Sequence, residues 1–216
     1  MTTLFDLRSA DLAADHRGDA PAPSAVALLL HGYGSNERDL TGLVPALQLE
    51  LPWASLRAPL TAGPGAAWFE ITMPGSPDAT PVEAATAAIW AWVDEHLDAA
   101  TRVVPIGFSQ GGLMATQLLR TRPERVLAPV VLGGFVLGAP QPADDALAAA
   151  RPAVFWGRGA VDHVIAAHAI ERTSEWLPRH STLVECVYPG LAHGISVDEL
   201  ADVNRFLSAN VEAVDA

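Results

Sequence analysis

Short apolar runs alternate along this chain with longer segments of helical spacing, and that alternation narrows the fold more than any other feature. AVALLL at 25–30 reads as a buried strand, and RVVPIG at 102–107, LAPVVLGGF at 127–135, PAVFWG at 152–157 and STLVECVYP at 181–189 read as further strands. WASLRAP at 53–59 is a weaker one. Runs that are apolar at successive positions belong to strands covered on both faces. Strand followed by helix, repeated, predicts an α/β protein with a mainly parallel central sheet and helices on both faces.

Helical patterns fall at 39–48, 80–96, 109–120, 164–177 and from 196 onward, with a short Ala-rich helix before residue 152. Thr80, Pro81 and Glu83 supply start signals: a cap, a proline in the first turn and a capping-box acid. Ser196 and Glu199 form a second capping box. Residues 60–80 are dense in Gly and Pro and predict a long surface loop. The first 24 residues carry little pattern and are expected to hold an irregular edge strand. With no repeat, low-complexity tract or linker, residues 1–216 read as one domain. One local conflict stands: Pro105 lies in a run that should be a central strand, where it removes a ladder donor.

Charge and cysteine content bear on partners. The net charge of -12, with no dense basic run, opposes binding to phosphate backbones or anionic membrane surfaces, so no nucleic-acid partner is expected. A single cysteine, Cys186, excludes an internal disulfide and argues against a Cys-based metal cluster; its run, TLVECVY, suits a buried free thiol. No apolar stretch is long enough to span a bilayer, and the N-terminus lacks a basic start followed by an apolar core. These features lead us to expect a cytoplasmic protein without membrane insertion, metal or cofactor. Oligomeric state is not readable from the chain.

In an open α/β sheet, reactive groups gather beyond the carboxyl ends of the strands. Ser109 follows the run at 102–107, Asp162 follows PAVFWG, and His193 follows STLVECVYP. Gly107, Ser109 and Gly111 form G-x-S-x-G between a strand and a helix, a sharp turn that holds a serine hydroxyl clear of the sheet. Such a serine needs a base to take its proton; His193 is the candidate base and Asp162 the acid that orients it. His163 and the pair Asp144–Asp145 are rivals for the acid, although that pair precedes the relevant strand. Donors for a developing oxyanion would be the backbone N–H groups of Gln110, after the serine, and Tyr33, in the HGYG loop after AVALLL. His31 is expected to orient that loop. His16, His96, His168 and His180 read as surface or helix-face residues.

The motifs LLLHGYGSN, WFEI, GFSQGG, GRGAVDHVI and YPGLAHGIS resemble, in order, those of the small carboxylesterase/phospholipase family of α/β-hydrolases, which includes acyl-protein thioesterases. The resemblance runs from about residue 26 to 210 and implies the α/β-hydrolase fold. It assigns Ser109 as nucleophile, Asp162 as acid, His193 as base, and Tyr33 and Gln110 as oxyanion donors. It also places Trp68, beside Phe69, near an acyl site; a loop anchored by two buried aromatics is the alternative. Tyr33 and His163 stand where the family often has Leu and Pro. No insertion is large enough for a lid domain, so an open cleft for small or medium acyl groups is expected.

The implied activity is a serine carboxylesterase acting on short-to-medium acyl esters through an acyl-enzyme, with a small-molecule ester as partner. A thioesterase or lysophospholipase with the same triad is the alternative. A non-catalytic binding protein on a hydrolase scaffold is a further reading, opposed by the intact Ser, His and Asp. A mononucleotide-binding protein ranks last, because GFSQGG lacks a P-loop lysine and the G-x-G-x-x-G spacing.

Overall fold

The computed structural model describes residues 4–8, 12, 23–48 and 50–211. Nine strands are described: β1 (Asp6–Arg8), β2 (Ala25–Leu30), β3 (Trp53–Leu56), β4 (Leu60–Ala62), β5 (Gly65–Ala67), β6 (Arg102–Phe108), β7 (Val130–Leu132), β8 (Ala153–Gly159) and β9 (Thr182–Tyr188). The helices among the described residues are α1 (Ala79–His96), α2 (Gln110–Thr121), α3 (Asp144–Ala150), α4 (Ala167–His180) and α5 (Val197–Asn210). Seven strands form one sheet in the order β1-β3-β2-β6-β7-β8-β9. All its neighbours pair in parallel except β1, which runs antiparallel to β3 at the edge.

The apolar runs divide between two cores because successive strand side chains point to opposite faces. Val26, Leu28 and Leu30 join α1, α2 and α4 on one side; Ala25, Ala27 and Leu29 join Val203, Phe206 and Leu207 of α5 on the other. All six β2 side chains are buried. At about 1.5–3 kcal/mol per buried Leu or Val, this strand alone is a large share of the stabilising burial. The two-sided α/β expectation is met.

Four local expectations are modified. Residues 39–48 contain only a 3-10 turn (Leu40–Leu43) followed by further turns, as Gly42 and Pro45 interrupt a regular helix. The loop at 60–80 contains the hairpin β4–β5. Helix α1 starts one residue before Thr80, with Asp78 at the cap position; its carboxylate accepts no cap hydrogen bond and receives the Thr72 hydroxyl at 3.3 Å. The run 127–135 is a strand only over β7, because Ala128 adopts φ 44° and Gly133 φ 53° on either side.

The kink at Ala128 accounts for Pro105. Arg102 N–H donates to Ser24 on the β2 side, whereas Val103 carbonyl accepts from Leu127 and Ser109 N–H donates to Leu132 on the β7 side. By alternation, position 105 faces β7. There the pairing breaks: the bridge Val103–Val126 is followed by Ile106–Val130, with one extra residue on the β7 side. Pro105 lies opposite this bulge, so no regular ladder bond is forfeited.

The capping box of α5 forms as the sequence indicates. Glu199 N–H donates to Ser196 Oγ at 3.1 Å, and Ser196 N–H donates to Glu199 Oε2 at 3.4 Å. Glu199 is fully buried and its Oε1, against Gly157, has no partner. Burial raises its carboxyl from 4.5 to about 7, outweighing the bond from Ser196. The folded protein therefore keeps a proton that the unfolded chain releases, and stability falls as pH rises between those values. Glu199→Gln should gain relative to wild type from pH 5 to pH 8, by up to about 3 kcal/mol. Thermal unfolding of both proteins across that range checks this; a difference in Tm that does not vary with pH contradicts it.

Candidate active site

Ser109 sits between β6 and α2 with φ 56° and ψ -114°, a conformation that costs a non-glycine residue roughly 1–3 kcal/mol. The surrounding backbone holds it there. Ser109 N–H donates to Leu132 carbonyl at 2.8 Å. Gly107 and Gly111 pack so closely that a Cβ on Gly107 would overlap the Gly111 carbonyl, and one on Gly111 would overlap the Leu30 carbonyl. The two outer glycines thus let β6, α2 and the end of β2 approach one another.

The turn lifts Ser109 Oγ toward His193, 2.9 Å from Nε2. His193 Nδ1 is 2.7 Å from Asp162 Oδ2. A carboxylate facing Nδ1 fixes the proton on that nitrogen and leaves Nε2 to accept from the serine hydroxyl. The other Asp162 oxygen accepts from Val164 N–H at 2.8 Å and Ile165 N–H at 3.2 Å. Burial opposes ionisation of Asp162, but bonds from His193 and the two backbone amides outweigh it and hold the carboxyl below its usual range. Phe108 lies 4.8 Å from the His193 ring, centroid to centroid. Ser109, Asp162 and His193, distant in sequence, are therefore in contact. The rivals take no part: Asp144 is bound to Arg120 at 2.7 Å, and among the described residues no hydrogen bond or ring contact joins His163 to His193.

The HGYG loop is built from β2 and from the hairpin. Gly34 N–H donates to Ala66 carbonyl at 2.9 Å, and Ala66 N–H to Ser35 carbonyl at 2.7 Å. Buried His31 donates from Nδ1 to Gly32 carbonyl (2.7 Å) and accepts at Nε2 from Ala58 N–H (3.1 Å). Burial lowers its pKa, and only the neutral ring can make both bonds. Its place is that of a loop-orienting residue. Among the described residues, neither Tyr33 N–H nor Gln110 N–H has an acceptor in the protein.

The Gln110 side chain has a role that sequence reading missed. Its Oε1 accepts from Trp68 N–H at 2.9 Å and its Nε2 donates to Phe69 carbonyl at 2.7 Å. Trp68 Nε1 donates to His31 carbonyl at 2.9 Å. One amide thus ties the serine turn to the loop carrying the aromatics. Its only signal in the sequence was a Gln inside GFSQGG. Trp68 is 1% exposed and packs inward; Phe69, not Trp68, lines the cavity at Ser109. The buried-anchor alternative describes Trp68.

That cavity holds about 360 Å³. Phe69, Ile71, Met73, Phe108, Phe135 and Ile165 give it a largely apolar lining. Tyr33, Ser35 and Asp39 line it from the HGYG side. Ile71, Met73 and Val164 are exposed at the cavity, and among the described residues no inserted domain covers it. Residues 70–78 form one wall, held against α4 by Arg172 Nη2 donating to Gly75 carbonyl at 2.7 Å and by a 3.0 Å bond between Ser76 Oγ and His168 Nε2. No cluster of potential metal ligands occurs among the described residues, and none of their helices is long and apolar enough to cross a membrane.

A mainly parallel sheet with helices on both faces, carrying an exposed serine turn between β6 and α2, defines an α/β-hydrolase. The phospholipase/carboxylesterase family model matches residues 17–211, and the chain belongs to that family of ester hydrolases. Acyl-protein thioesterase 1 of Debaryomyces hansenii is 26% identical, over 87% of this chain and 91% of that protein. The Bacillus cereus carboxylesterase structure superposes with a TM-score of 0.77 at 21% identity, covering 95% of this chain and 94% of that one. SOBER1 of Arabidopsis thaliana gives a TM-score of 0.69 at 21% identity, covering 86% and 98%. These structural likenesses concern the fold.

Gly111→Ala should force α2 away from β2, because the added methyl would overlap the Leu30 carbonyl and crowd that of His31. We expect a loss of about 1–3 kcal/mol in stability and a displaced Ser109. Chemical denaturation, with labelling by a fluorophosphonate, checks both; a variant as stable and as quickly labelled as wild type contradicts the packing argument.

Proposed function

We propose that the protein is a serine carboxylesterase acting on short-to-medium acyl esters. The observation that carries this is the continuous hydrogen-bonded chain from Ser109 Oγ through His193 to Asp162. His193 Nε2 takes the hydroxyl proton as Ser109 attacks the ester carbonyl. Asp162, held ionised by its three donors, orients the ring and stabilises the imidazolium. The backbone N–H groups of Gln110 and Tyr33 receive the oxyanion; each is unengaged, and the first opens helix α2, whose dipole favours negative charge there. His193 returns its proton to the leaving alkoxide, then activates water to hydrolyse the acyl-enzyme.

The cavity supports the acyl range. About 360 Å³ with a largely apolar lining suits a short or medium chain, and the open mouth admits varied alcohols. The thioesterase relative favours a second reading, in which the same serine releases an acyl group from sulfur. Localisation in the cytoplasm fits both readings.

A series of p-nitrophenyl esters from acetate to dodecanoate, with matched acyl thioesters, tests the assignment. Turnover should peak at short or medium chains. Ser109→Ala should lose at least about 10³-fold in kcat, and Asp162→Asn about 10²- to 10⁴-fold. Undiminished hydrolysis by Ser109→Ala would overturn the nucleophile. A kcat/KM far higher for thioesters at every chain length would favour the second reading.

A further inference from the structure

We infer that Asp39 makes the cavity selective for substrates with a cationic leaving group, a refinement that rests on the esterase reading. Most of the cavity lining is apolar. Phe69, Ile71, Met73, Phe135 and Ile165 offer surface that an acyl chain would cover. Gly32, Tyr33, Ser35 and Asp39 line it as well, and Asp39 is the one acidic side chain on the lining. No Lys, Arg or Glu lines the cavity among the described residues.

Asp39 is not committed to the fold. It stands at the cap position of the 3-10 turn at Leu40–Leu43, yet its side chain caps nothing. Among the described residues, its carboxylate has no hydrogen-bond or ion-pair partner. The neighbouring cations do not neutralise it: Arg57 is paired with Glu37 at 3.0 Å, and Arg38 does not line the cavity. Asp39 is exposed at the cavity, so its attraction for a cation is modest and screened by salt. The acyl chain prefers the apolar side chains by the hydrophobic effect, and a charged alcohol branch prefers the carboxylate of Asp39. A quaternary or protonated amino alcohol then gains attraction through binding and acylation, whereas an anionic alcohol branch is repelled.

The test compares choline butyrate with 3,3-dimethylbutyl butyrate, which has the same shape and acyl group but no charge. At low ionic strength, wild type should favour the choline ester in kcat/KM by about three- to ten-fold. The preference should shrink in 0.5 M salt and fall to near unity in Asp39→Asn. The ratio of the two esters cancels any change in folding or in the chemical step common to both. Glu175→Gln, an equal charge change on α4 outside the cavity, should keep the preference and so separates Asp39 from the overall field of the -12 chain. No preference in wild type, or one unchanged in Asp39→Asn, overturns the inference while leaving the esterase reading intact. Hydrolysis of neither butyrate, nor of any p-nitrophenyl ester, would instead remove the esterase reading, and this inference with it.

Discussion

The close contact of Gly111 with the carbonyl end of β2 is the constraint on which the site depends. It lets helix α2 begin directly above the sheet, and it leaves Ser109 no conformation but a strained one. The strain is offset by burial across two cores and by the bond from Ser109 N–H to Leu132. A serine held this way has its hydroxyl projected and its helix amides directed at the same point. Nucleophile exposure and anion stabilisation are consequences of one backbone geometry.

From that turn, the remaining parts are linked by a few buried polar contacts. Gln110 holds the Trp68–Phe69 segment. Trp68 in turn holds His31, and His31 holds the HGYG loop against the exit of β3. These groups are buried and mutually satisfied, so each constrains the next. The result is a rigid floor below Ser109 with Phe69 turned into the cavity. The opposite wall, residues 70–78, is tied to α4 by fewer and more exposed contacts. The site thus combines a fixed reactive centre with a wall anchored mainly by Arg172.

Two irregularities have clear physical origins. Pro105 in a central strand is tolerated because β7 departs from the ladder at Ala128, where the missing donor would have pointed. Glu199 is kept in the core by its capping role, with one oxygen left unpaired against Gly157. The neighbouring strand resolves the first conflict; the second stays in the core as a carboxyl that burial raises to about 7.

The strand–helix alternation, the serine turn and the order Ser109, Asp162, His193 were legible in the sequence, since each depends on local spacing or on the rule that strand ends converge. The second capping box was legible for the same reason. At 39–48 the helical spacing outweighed the breakers Gly42 and Pro45 in the reading, and the start of α1 shifted by one residue. The hairpin within 60–80 was not legible, because Ala66 pairs with the distant HGYG loop. Nor could the sequence separate Trp68 from Phe69: adjacent residues project to opposite sides, and only the Gln110 clamp decides which faces the cavity. Local chemistry chose the reactive groups. The packing of distant backbone chose their geometry, the shape of the cavity and the placement of Asp39 on its lining, because those depend on contacts between residues tens of positions apart.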